Sequence, residues 1–159
     1  MEFLVFWRYA MKIDVSQKSG VGISIHDDEL SELRFIREKK ELRLSMLAWE
    51  TAEVVPSEFK MKSPCYEIAF HQVRGFEMTS CDFWGQSQRA LGLTLMDEKG
   101  RTLLPWLLQQ RDARDRYKES VLGAEEDYLE CMIEFISGDF FTVVCQAIEV
   151  PDEKVYWAK

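Results

Sequence analysis

Two histidines, His26 and His71, and the pair Cys81-Asp82 are the residues of this 159-residue chain whose types could do chemistry. His26-Asp27-Asp28 has the look of a metal-binding His-Asp pair, but a metal site draws three or more ligands from scattered elements with outer support. No spacing in the chain supplies those further ligands. The other reading makes Asp27 or Asp28 the cap of a turn before Leu30, with His26 bonded locally. A Cys81–His71 nucleophile pair would need a thiolate within hydrogen-bond reach of the imidazole. Its alternative is a strand histidine and a corner cysteine. If His26, His71, Cys81 and Asp82 shared one pocket, the chain would be a small-ligand-binding domain or a hydrolase. Phosphate-cradling glycine motifs, H-E-x-x-H and G-x-S-x-G do not occur. The expectation is therefore no catalytic residue, no metal and no cofactor.

The elements that must position these residues are mostly strands. Tyr66, Ile68 and Phe70 alternate with Glu67, Ala69 and His71, the period of two of a half-buried strand. Gly75 allows a bend, and Phe76, Met78 and Ser80 resume the alternation before Cys81-Asp82-Phe83-Trp84-Gly85. Upstream, Leu33 and Phe35 lead through Glu38-Lys39-Lys40 into Leu42, Leu44, Met46 and Ala48, a hairpin with Glu41, Arg43 and Ser45 toward water. Leu91, Leu93 and Leu95 suggest a further strand. Downstream, Leu129, Cys131, Ile133 and Phe135 face inward, with Glu130 and Glu134 outward. Ser137-Gly138-Asp139 turns this second hairpin, and Phe140 to Val150 reads as one strand covered on both faces. Thr102, Pro105 and the leucines that follow predict one amphipathic helix around 102–119. The fold class expected is α+β: mostly antiparallel sheet, two strong hairpins plus central strands, and one helix. No linker divides residues 1–159, so a single domain is expected, with residues 1–10 an extension or an extra edge strand.

The balance of 47% apolar and 30% charged residues is that of a folded globule. A net charge of −8 disfavours nucleic acid and would speed encounter with a basic partner. Met1 to Tyr9 is apolar but far shorter than a membrane span of about 20 residues, and it lacks the features of a signal peptide. No membrane association and a cytoplasmic location are expected. Cys65, Cys81, Cys131 and Cys145 form no C-x-x-C pair, and reduced thiols are the default reading. Aromatic residues near Tyr66 to Trp84, joined by Trp49 and Trp106, are core or interface anchors. Asp82 is a turn cap or the central anion of a binding surface.

His26-Asp27-Asp28-Glu29-Leu30, Ile68 to Phe76, Cys81 to Gly85 and the hairpin Ile133 to Asp139 together resemble small bacterial proteins of immunity type. The likeness spans roughly residues 23–150. It implies a protein that neutralises a cognate toxin, often a basic nuclease, by occlusion. It transfers no catalytic residue. The contacts it would imply are Asp27, Asp28, Glu29, Asp82, Phe83, Trp84, Glu125, Glu126 and Asp127. A homo-oligomer subunit, with the aromatic stretch as its self-interface, is the remaining alternative.

Overall fold

A computed structural model describes residues 10–17, 21–48, 65–79, 89–113 and 124–157, with side chains of the helix described through residue 110. The expected antiparallel, strand-dominated architecture with a single helix is what these residues form. The strands are β1 (Ala10–Asp14), β2 (Val21–Ile23), β3 (Glu29–Ile36), β4 (Glu41–Leu47), β5 (Cys65–His71), β6 (Gly75–Met78), β7 (Ala90–Leu95), β8 (Leu129–Phe135), β9 (Phe140–Cys145), β10 (Ala147–Pro151) and β11 (Val155–Trp157). The helix is α1 (Leu103–Ala113). One sheet has the order β1-β10-β5-β4-β3, and the other β11-β2-β7-β8-β9-β6.

One core joins the two sheets. Leu44, Ile68 and Phe70 from the first meet Ile133, Phe135 and Phe141 from the second. The rings of Phe135 and Phe141 meet edge-on at 5.3 Å, the geometry favoured by the aromatic quadrupole. The alternation in β4 is realised: Leu42, Leu44 and Met46 are buried and face β5, whose Tyr66, Ile68 and Phe70 stand opposite them. Gly138 takes φ 88° in the β8–β9 turn, as expected.

Residues 140–150, expected as one strand, are instead two. Gln146 bends the chain so that β9 stays in the second sheet while β10 joins the first, between β1 and β5. The bend is shared by β5 and β6, which cross at Gln72 with φ 53°, and Gln146 N–H donates to the His71 carbonyl. β9 is buried on both faces, and in β10 Ala147, Ile148, Val150 and Pro151 are buried, so apolar residues continue on either side of the exposed Gln146. Val155-Tyr156-Trp157 pairs with β2 as an edge strand.

Glu130 is also corrected. It points outward from β8 as expected, yet it is buried, because α1 lies across that face. Its carboxylate accepts the backbone N–H groups of Thr102 at 2.9 Å and Leu104 at 2.6 Å, donors that a helix start leaves without intrahelical partners. Leu103 and Leu104 then seat on Tyr128 and Val144. Gly75 permits the close approach of α1 to β6, since a Cβ there would come within 2.6 Å of a Leu107 methyl.

Candidate functional site

The described residues among those singled out in the sequence fall into three separate places. At the first, Asp27 sits at φ 67° with its carboxylate 3.0 Å from His26 Nδ1, the local bond expected of a turn. Asp28 is 1% exposed and does not face a partner. Its Oδ2 accepts from Lys154 Nζ at 2.9 Å and from the Tyr66 hydroxyl, and the Lys154 ammonium lies 4.9 Å from the centre of the Tyr66 ring. The turn before β3, the middle strand β5 of the first sheet and the segment after β10 are thereby tied together. Glu29 is half-buried at the start of β3.

At the second place, His71 ends β5 on the outer face of the first sheet. Its Nδ1 is 3.2 Å from Glu41 and its Nε2 3.7 Å from Glu149. The contacts continue across the strands. Arg43 Nε donates to Glu41 at 3.1 Å, Arg43 Nη1 donates to Glu67 at 2.8 Å, and Arg34 donates to the other Glu67 oxygen. The Glu67 hydrogen bond, opposed by burial and aided by Glu41, raises the Arg43 guanidinium pKa. Partial burial pushes the Glu41 carboxyl up, but Arg43, His71 and Lys39 together pull it further down, so it ionises below the ordinary range. This ladder walls a basin of about 550 Å³ over Ser45 and Ala69. Its arginines are already neutralised by carboxylates of the same ladder.

The two imidazoles do not converge. Glu29 pairs with Leu47, and Leu47 with Cys65, so His26 lies at the Cys65 end of β5 and His71 at the other. Six residue steps at about 3.3 Å separate those ends by about 20 Å. Among the described residues no group of three or more His, Cys, Asp or Glu side chains could hold a metal ion. Cys81, Asp82, Phe83, Trp84 and Trp49 lie outside the described residues. Cys131 and Cys145 are free, buried core thiols, raised well above their usual range and to about 12 respectively, in both cases chiefly by burial. Burial and the Glu67 charge also raise the exposed Cys65.

The third place is a turn and a helix. Glu125, Glu126 and Asp127 form an exposed 3₁₀ turn just before β8. The first turn of α1 is held beside it, with Arg101 Nη1 3.7 Å from Glu125 and Glu130 gripping Thr102 and Leu104. That helical turn carries Trp106, which is 52% exposed. The sequence named Trp106 only as a member of an aromatic cluster, and the helix displays it to solvent instead. Asp27 and Glu29 are not part of this surface. Asp27 N–H donates to the Ala90 carbonyl, and Ala90 pairs with Phe135, the far end of β8, again about 20 Å away.

Among the described residues no helix is long and apolar enough to cross a membrane. No known family model matches the chain, and no curated protein does. Among solved structures the chain is similar to an uncharacterized protein from Neisseria gonorrhoeae, with a TM-score of 0.42 and 10% identity over 89% of this chain and 95% of that one. A likeness of that size carries no argument about activity.

Proposed function

We propose that this chain is an immunity-type binding protein, cytoplasmic, that neutralises a cognate bacterial toxin by covering it. The observation that carries the reading is the exposed Trp106 on the helical turn beside Glu125, Glu126 and Asp127. A tryptophan that can be fully desolvated is the type of residue that dominates interface energies, and the acidic turn held beside its helix suits a basic nuclease surface. The framework beneath is stiff, because α1 is gripped at its N-terminus by Glu130 and seated on Tyr128 and Val144. A preformed surface loses little conformational freedom on docking. Occlusion uses none of the histidines, consistent with their separation. The test is to purify the chain with the toxin domain encoded beside it and to titrate toxin activity. Stoichiometric inhibition through a one-to-one complex is expected. A toxin that neither binds nor loses activity at equimolar chain removes the reading.

A further inference from the structure

The polar contact that holds the Glu125–Asp127 turn beside α1 comes from a buried cation. Arg101 lies just before the helix start, and its side chain is only 4% exposed. Its backbone N–H donates to the Asp97 carbonyl at 3.2 Å, and the Asp97 carboxylate accepts the Gly100 N–H at 2.8 Å, so the loop leaving β7 is fixed where the guanidinium departs from it. Trp106 N–H donates to the carbonyl of Thr102, the next residue after Arg101, at 3.4 Å. Arg101 Nη1 stands 3.7 Å from Glu125, beyond hydrogen-bond length, and its buried Nε has no hydrogen-bond partner. A guanidinium taken out of water for one long contact and an unmatched N–H does not favour folding. An apolar side chain in its place would fold as well.

The two ends of this contact are unlike. Glu125 is 45% exposed at the side chain and returns to water if Arg101 is lost, whereas Arg101 without Glu125 is a stranded buried charge. The turn is itself closed by its own bonds. Ala124 N–H donates to Asp127 Oδ2 at 3.0 Å, Asp127 N–H to the Ala124 carbonyl at 3.0 Å, and Tyr128 N–H to the Glu125 carbonyl at 3.3 Å. Tyr128 packs with Leu103 and Leu104 and keeps the turn near the helix by apolar contact alone. What Arg101 adds is the orientation of the turn against α1.

We propose, resting on the toxin-binding reading of the Trp106 face, that Arg101 is its positioning residue. It fixes the acidic turn relative to the first turn of α1, and so relative to Trp106, before a basic partner arrives. Arg101 is too buried to meet that partner and acts through Glu125. A partner that must meet charge and tryptophan together gains most when their relation is set in advance, because ordering the turn on docking would subtract from the affinity. The buried charge therefore serves recognition at no gain to stability.

Amide exchange and urea unfolding of the full chain, with no toxin present, test the tether first. Arg101→Met should leave the urea midpoint in place or raise it, yet speed exchange at the Asp127 and Tyr128 amides. Glu125→Ala should lower the midpoint, because the guanidinium stays buried without its partner. Arg101→Lys, which keeps the charge, should restore part of the protection. Against the toxin domain encoded beside the chain, Arg101→Met should bind about tenfold more weakly than wild type, the scale of ordering one or two side chains on docking. Unchanged exchange in Arg101→Met, faster exchange matched by a fall in the midpoint, or a toxin that binds this variant as tightly as wild type would each overturn the proposal. A toxin that ignores the wild type while the exchange pattern holds would remove the toxin reading and leave Arg101 as the tether of the turn.

Discussion

Asp28 and Lys154 stand 126 positions apart and share a buried ion pair, 1% and 4% exposed at the side chain. Such a pair adds little over a well-packed apolar substitute, but removing one partner strands the other charge out of water. Lys154→Met should therefore cost about 3–5 kcal/mol, read as a fall in the urea midpoint at constant slope. Asp28→Asn combined with Lys154→Met should recover part of that loss. The sequence hides this pair because Asp28 sits in an acidic run that reads as solvated, and nothing local marks Lys154 as its mate. Glu41 offers a test by pH. Its pKa is depressed in the fold, so its ionised form stabilises the protein fully above the ordinary carboxyl value of about 4.3. That contribution is lost as pH falls through the lower folded value. Glu41→Gln should thus be less stable than wild type at neutral pH, and the gap should close in acid, as followed by urea midpoints between pH 7 and pH 3. A gap that stays constant across that range would count against the ladder.

Strands with one buried face were legible. β4, β5 and β8 each alternate because one side meets the core and the other meets water or a polar layer. What alternation cannot show is the neighbour. Leu33 and Phe35 carry the core-side pattern of β3, but the strand ends its sheet and they remain exposed. Glu130 is read correctly as outward and wrongly as wet, since its surroundings depend on a helix from another part of the chain. The run from Phe140 to Val150 gives no clear period, and Gln146, its one exposed residue, is too slight a break to reveal that the chain changes sheets there. For α1, Glu130→Ala should leave two helix-start N–H groups without their acceptor. It should cost about 1–3 kcal/mol per orphaned donor and speed amide exchange at Leu104 well before the sheets open. Equal protection in the variant would show that the carboxylate does not hold the helix.

At the scale of the molecule, the described candidate partner residues divide between the two ends of β8. The acids expected to act together therefore cannot all lie under one small contact. Asp28 drops out by burial, while Glu125, Glu126 and Asp127 stand on a turn held beside the start of the helix that carries Trp106. Net charge and size were enough to suggest a binding role. They could not say which acids share a face, because that depends on the pairing of β7 with β8 and on where α1 seats. The titration of the cognate toxin domain with Trp106→Ala, set beside wild type, tests the binding account most directly. Loss of at least about 2 kcal/mol, roughly thirtyfold in Kd, is expected at unchanged fold stability. A Kd that does not move would contradict the placement of the partner on this helix and turn.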